Sequence, residues 1–145
     1  MIKKWIETLV SKFYYSEAVI DFLTNECHIE RPSELYCVNN INKIIGDCKK
    51  EKAAYNLKIF FAALWERSKK IQIIDFLIGL GFNKQIVDII CSKHSTLEEI
   101  RKVNYEELLS LGVEKNEAKE FIERMIYLSD EMDFLLNNGL IRFLE

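Results

Sequence analysis

Helix-breaking residues are scarce in this chain: its 145 residues include one proline and five glycines. Apolar residues recur at helical spacing, and no sustained stretch alternates apolar with polar residues as a half-buried strand would. Because proline and glycine mark turns and interrupt helices, their scarcity favours helical segments and argues against long disordered linkers. The sequence therefore predicts an all-α protein.

Composition excludes several classes of protein. Hydrophobic residues make up 49% of the chain and charged residues 30%, as in an ordinary globular domain. No apolar run reaches the about 18 residues needed to cross a bilayer, and the N-terminus lacks the apolar core and cleavage site of a signal peptide. We expect no membrane partner and a location inside the cell, in the cytoplasm or nucleus.

The residues that could support catalysis or bind a metal are few and scattered. The cysteines are Cys27, Cys37, Cys48 and Cys91. They form no C-x-x-C pair and no zinc-like spacing, which favours free thiols in a reducing compartment. His28 and His94 lack the Ser-His-Asp order, and the chain has no P-loop, G-x-G-x-x-G or H-E-x-x-H. We expect no enzymatic activity, no cofactor and no bound metal.

Charge is divided unequally between the two halves. Residues 1–70 contain 12 Lys/Arg and 9 Asp/Glu, a net charge of +3, whereas residues 71–145 contain 8 and 14, a net charge of −6. An acidic half is a poor general binder of phosphate, and the first half is only mildly basic. Charge alone therefore favours a protein partner over a nucleic acid.

The clearest helical pattern occupies residues 76–128. Its segments are an apolar run at 76–82, a second run at 86–90, a break at 95–96, the stretch 103–113 and a last helix from about Lys115. Within the fourth segment, Leu108 and Leu111 are expected to fill a core, and Gly112 to turn the chain into the last helix. This pattern predicts a small bundle.

This order of segments resembles a sterile alpha motif (SAM) domain, a compact five-helix bundle. A degenerate second copy is expected in residues 5–65, where Gly46 precedes Gly112 by 66 residues. The copy begins with a helical stripe composed of Trp5, Ile6, Leu9, Val10 and Phe13. The resemblance implies two tandem units, residues 1–70 and 71–145.

The junction between the two units lacks a spacer. Neither glycine nor proline occurs between Asp47 and Ile78, so the sequence predicts rigid docking through a long junction helix that is either continuous or tightly kinked. After a predicted helix stop at 137–139, residues 140–144 form an apolar tail. The tail either packs back on the bundle or docks a partner.

SAM domains commonly bind proteins, more rarely RNA, and seldom catalyse. The resemblance therefore implies a non-catalytic adaptor for protein–protein interaction or oligomerisation, with another copy of itself among the partners considered. One alternative is a small RNA- or ribonucleoprotein-associated factor of the same fold. Another is a different helical interaction bundle, such as a death-domain-like protein or a viral protein that binds a host factor.

Two charged surfaces commonly pair head to tail in this family, and the resemblance places them here. The acidic surface is formed by Glu98, Glu99, Glu106 and Glu107. The basic residues are Lys115 and Lys119 in the second unit, among interrupting glutamates, and Lys49, Lys50 and Lys52 in the first. From the residues alone, an isolated run of charges such as Lys49, Lys50 and Lys52 is better explained as a solvated surface.

The stretch 108–113 also resembles a helix-hairpin-helix motif. That motif normally carries two glycines around one apolar residue, with backbone N–H groups facing phosphate. Here Gly112 stands alone and Glu114 follows it, which would repel phosphate. We interpret this second resemblance as a poor match.

Overall fold

The computed structural model describes residues 1–48 and 51–144, and this part of the chain is helical without a β-strand. The predicted all-α fold is confirmed. The α-helices are α1 (Ile2–Leu9), α2 (Glu17–Asp21), α3 (Val38–Asp47), α4 (Glu51–Ser68), α5 (Ile73–Gly79), α6 (Lys84–Lys93), α7 (Leu97–Arg101), α8 (Tyr105–Ser110), α9 (Lys115–Tyr127) and α10 (Ser129–Asn137). Short 3₁₀ turns occupy Lys12–Tyr14 and Pro32–Tyr36, and a π turn occupies Phe22–Glu26.

Polar side chains fix where three of the helices begin. Asn83, Thr96 and Asn104 each accept a hydrogen bond from a backbone N–H in the first turn of α6, α7 and α8, at 2.8–3.2 Å. Short polar side chains at this position satisfy N–H groups that have no partner within the helix. The break predicted at 95–96 thus coincides with the capping Thr96.

A hydrophobic core runs through both halves of the chain. Helix α1 packs against α5, where the fully buried rings of Trp5 and Phe76 meet edge to face with centroids 6.0 Å apart. Gly79 permits this approach, because a Cβ at that position would lie 3.0 Å from the Trp5 ring. Residues on both sides of position 70 therefore contribute to the same core.

The continuous form of the predicted junction helix is wrong, because the chain turns between α4 and α5. Helix α4 ends at Ser68, and α5 begins at Ile73 after a turn at 69–70. The Ser68 carbonyl accepts from the N–H of Arg142 at 3.0 Å, and the N–H of Ile71 donates to the Arg142 carbonyl at 3.1 Å. Arg142 therefore provides the hydrogen-bond partners of the Ser68 carbonyl and the Ile71 N–H. In a continuous helix, these two groups would bond to residues one turn away.

The apolar tail packs on the fold. Ile71 and Phe143 form a parallel β-bridge, and the N–H of Leu144 donates to the Ile71 carbonyl at 3.0 Å. The Phe143 ring lies edge to face on Phe76, with centroids 5.3 Å apart, and Ile141 is buried. Of the two roles considered for the tail, packing on the bundle is the one observed.

Leu108 and Leu111 differ in burial. Leu108 is fully buried, as predicted, but Leu111 is only half-buried. We expect Leu108→Ala to lower the free energy of unfolding by about 2–5 kcal/mol, and Leu111→Ala to lower it by less because its side chain already meets solvent. Urea denaturation of the two variants measures this difference. Equal losses would contradict the observed orientation of α8.

Candidate protein-binding surface

The acidic residues predicted on α7 and α8 gather around a histidine. Nδ1 of His94 lies 3.3 Å from Oε2 of Glu99, and its Nε2 lies 2.8 Å from Oε1 of Glu107. Glu98 instead pairs with Lys102, four residues along the chain, at 3.3 Å. The structure thus brings Glu99 and Glu107 together, and His94 is a member of this cluster that the sequence analysis missed.

The two carboxylates raise the pKa of His94. The hydrogen bond to Glu107 is the largest cause, partial desolvation opposes it, and Glu99 adds to it. Part of the predicted acidic surface is therefore engaged within the chain, while Glu106 remains exposed. Charges that are already paired attract an external basic surface less strongly than isolated ones.

The His94 cluster should stabilise the protein most at acidic pH. A histidine with a raised pKa in the folded state stabilises fully below its ordinary value of 6.5, and this stabilisation is lost as pH rises through the folded-state pKa. We expect the difference in melting temperature between wild type and His94→Gln to be larger at about pH 5 than at about pH 9. A difference independent of pH would contradict this role.

The predicted basic residues are distributed over two parts of the chain. Lys49 and Lys50 lie outside the described residues, and Lys52 is exposed in the first turn of α4. Lys115 and Lys119 are exposed on α9. Within 1–48 and 51–144, no ion pair joins these lysines to the four predicted glutamates. Their pairing with an acidic surface stays a prediction.

Phe13 does not continue the stripe of α1, so that part of the helix prediction is wrong. Helix α1 ends at Leu9, and the hydroxyl of Ser11 accepts from the N–H of Phe13 at 3.4 Å to begin the 3₁₀ turn Lys12–Tyr14. This turn directs the Phe13 side chain outward, where 86% of the residue is exposed. A large apolar side chain so exposed is a candidate contact for a partner.

Phe13 borders an apolar groove between the 3₁₀ turn and α4. Tyr14 divides the groove and contacts Phe13 edge to face, with ring centroids 5.2 Å apart. One side is a cavity of ≈ 270 Å³ that includes Phe13, and the other a cavity of ≈ 480 Å³ lined by Ile59, Ala62 and Ala63. We name the surface formed by these five residues the α4 groove.

A second apolar stripe on α4 is the sequence feature that could have predicted the α4 groove. The buried stripe of this helix contains Leu57 and Phe60, but a second apolar stripe runs through Tyr55, Ile59 and Ala62 at spacings of four and three residues. Tyr55 is 64% exposed. A helix that is apolar on two faces needs two partners, and the core supplies only one of them.

A smaller group of exposed apolar residues lies on α9 and α10. Ile126, Tyr127 and Phe134 are each more than half exposed. The guanidinium of Arg31 sits over the Tyr127 ring, 5.1 Å from its centroid, and so covers part of this surface by a cation–π contact. Phe134 provides a matched control for Phe13.

Two helical hairpins in the second half share one backbone geometry. The α5–α6 hairpin turns through Gly81 at φ +89°, and the α8–α9 hairpin through Gly112 at φ +88°. Both follow the pattern Leu-x-x-Leu-Gly with a lysine three residues later, in segments 77–84 and 108–115. The repeat period visible here is therefore 31 residues, shorter than the 66 residues considered from the sequence.

The first hairpin changes the comparison with the helix-hairpin-helix motif. Gly79-Leu80-Gly81 places two glycines around one apolar residue, the feature that is missing at Gly112. Lys84 and Lys115 are exposed at the starts of α6 and α9. The second glycine in Gly79-Leu80-Gly81 is the signal by which this segment could have been recognised in the sequence.

Neither a metal centre nor an activated thiol is evident in the described ranges. No group of three His, Cys, Asp or Glu residues there could hold a metal ion. A cleft of ≈ 350 Å³ includes Cys27, His28 and Lys43. Burial raises the pKa of the Cys27 thiol, which keeps it protonated and poorly nucleophilic. Absence of catalysis stays a prediction.

Comparison of the chain with protein-family models, curated proteins and solved structures finds no significant match. Among the described helices, none combines the length and the apolar character required to span a lipid bilayer. The functional interpretation therefore depends on the surface geometry described above.

Proposed function

We propose that this protein is a non-catalytic module for protein–protein interaction and that the α4 groove is its binding surface. The exposure of Phe13, 86%, is the observation that carries the proposal. Covering such a side chain removes apolar area from water, which favours association. Aromatic side chains seated in a partner's recess often contribute most of the binding energy.

The SAM-like arrangement is part of this proposal. Helices α5–α9 number five, as in one bundle of that family. The predicted charged residues would then form a secondary surface. We rank it below the α4 groove because exposed ion pairs contribute little, and because Glu99 and Glu107 already bind His94.

Affinity capture with the purified full chain tests the proposed function. Three baits are compared: wild type, Phe13→Asp, and Phe134→Asp as a control on an equally large side chain that is 51% exposed. We expect a protein that wild type and the control retain and Phe13→Asp loses. Reconstitution with that protein should show a loss in affinity of about tenfold or more. Identical capture by the three folded baits, together with no self-association that depends on Phe13, would contradict the proposal.

A second candidate function is binding of nucleic-acid phosphates by the two hairpins. The exposed lysines Lys84 and Lys115 at the starts of α6 and α9 favour it, since lysine side chains neutralise phosphate charge. Glu114 and Glu117 oppose it at the second hairpin, and the net charge of −6 over 71–145 opposes it generally. Because of these negative charges, we rank nucleic-acid binding below protein binding.

Fluorescence anisotropy with labelled single-stranded RNA and labelled duplex DNA tests this second candidate. Binding at about 50 mM salt that weakens strongly at about 200 mM, and that the double variant Lys84→Glu/Lys115→Glu abolishes, would support phosphate contacts. No binding at the lower salt concentration would exclude them.

A further inference from the structure

We propose that the α4 groove binds a second copy of this chain, in a dimer with two-fold symmetry. The inference rests on the proposed function and specifies the partner of the same surface. A two-fold interface uses the same patch on both copies, so that patch must carry both a projecting group and a recess that can receive it. The α4 groove carries both, because Phe13 projects and the cavity beyond Tyr14 is open.

Tyr14 lies between the projecting Phe13 and the cavity that we call the recess. With the symmetry axis near Tyr14, the Phe13 ring of each copy enters the ≈ 480 Å³ cavity of the other. Two alanines, Ala62 and Ala63, line that cavity beside Ile59. Their short side chains leave space where longer residues would fill the recess. One rotation therefore seats both Phe13 rings at once.

The charges that flank the α4 groove complement each other under the same rotation. Lys12 adjoins the projecting Phe13, and Glu66 lines the recess two helical turns beyond Ile59. Both side chains are exposed, and neither forms an ion pair within the described chain. Inserting Phe13 into the recess brings Lys12 toward Glu66 of the second copy, and symmetry makes this contact twice.

Arg67 also lines the recess, but it forms no ion pair with Glu66. Arg67 pairs with Asp75, its Nη2 lying 3.4 Å from Oδ2, and it also donates to the Lys70 carbonyl. Glu66 is therefore available to a cation from another molecule. Lys12 of a second copy is such a cation, because it is next to the Phe13 that enters the recess. Opposite charges beside an apolar centre fix orientation in such interfaces.

Sedimentation equilibrium of the full chain, from about 1 to about 500 µM, tests the dimer by mass action. We expect the average mass of wild type to rise from 17.1 kDa toward twice that value. Phe13→Asp should remain monomeric over the whole range, and Phe134→Asp should associate like wild type. A wild-type mass fixed at that of the monomer, or loss of association in both variants alike, would overturn the dimer.

A charge exchange at low salt tests the orientation. Lys12→Glu and Glu66→Lys should each weaken association by about fivefold, because each creates two like-charge contacts per dimer. The double variant Lys12→Glu/Glu66→Lys should return to within about twofold of wild type. Failure of the double variant to recover, with both single variants folded, would overturn the proposed arrangement.

The outcome for the dimer is distinguishable from the outcome for the proposed function. A monomeric wild type that still captures another protein through Phe13 overturns the dimer and retains the interaction module. A monomeric wild type without any capture that depends on Phe13 contradicts both.

Discussion

Phe76→Ala should lower the free energy of unfolding by about 3–5 kcal/mol and destabilise both halves of the chain together. Phe76 is fully buried, and its ring contacts Trp5 from the first half and Phe143 from the tail. Truncation leaves a cavity where three segments meet, and a close-packed interior collapses only partly into such a space. Chemical denaturation followed by tryptophan fluorescence and far-UV circular dichroism measures the loss.

Phe134→Ala is the matched control for this change, because that side chain is 51% exposed. Its cost should be within about 0.5 kcal/mol. The same experiment tests whether 1–70 and 71–145 fold as a unit: the two probes should report a single coincident transition. Two separated transitions, with only the second shifted by Phe76→Ala, would contradict the coupling.

Glu131→Ala should cost about 3 kcal/mol. The residue is only 3% exposed, and its Oε1 accepts from the N–H of Ser33 at 2.7 Å while its Oε2 accepts from the Ser33 hydroxyl at 3.0 Å. Nη1 of Arg31 lies 3.7 Å from the same carboxylate. Removing the acceptor leaves the Ser33 groups without their partner and separates α10 from the 3₁₀ turn Pro32–Tyr36.

Two further variants isolate the cause of the Glu131 effect. Glu131→Gln retains a carbonyl oxygen that can accept from Ser33, so it should cost less than the alanine change. Glu123→Ala removes an exposed carboxylate on α9 and should be nearly neutral. Urea denaturation at about pH 7 compares the three. Equal stability of Glu131→Ala and Glu123→Ala would contradict a structural role for the buried carboxylate.

Local signals in the sequence predicted many helix boundaries correctly. The last helix of the predicted bundle begins at Lys115, as expected, and α10 ends at Asn137 just before Gly139 at φ +67°. Each of these depends on a preference within one or two turns of chain, so a single sequence contains the information.

The incorrect and missed predictions arise from one local cap and from contacts between distant residues. The end of α4 at Ser68 depends on Arg142, which lies 74 positions later in the chain. Phe13 left the predicted stripe because a local cap at Ser11 ended the periodic pattern. The contact of His94 with Glu107 requires the end of α6 to lie beside α8. Periodicity reports which face of a helix is apolar, but not which distant group will meet it.

The β-bridge between Ile71 and Phe143 also constrains the order of events during synthesis. At a translation rate of about 5–20 residues per second, Ile71 is synthesised several seconds before Phe143. During this interval the backbone of the α4–α5 turn is hydrated, and Phe76 lacks its contact with the Phe143 ring. A partly assembled chain of this kind exposes apolar surface that chaperones bind. Residues 140–144 would then end this interval by covering Phe76 and pairing with Ile71.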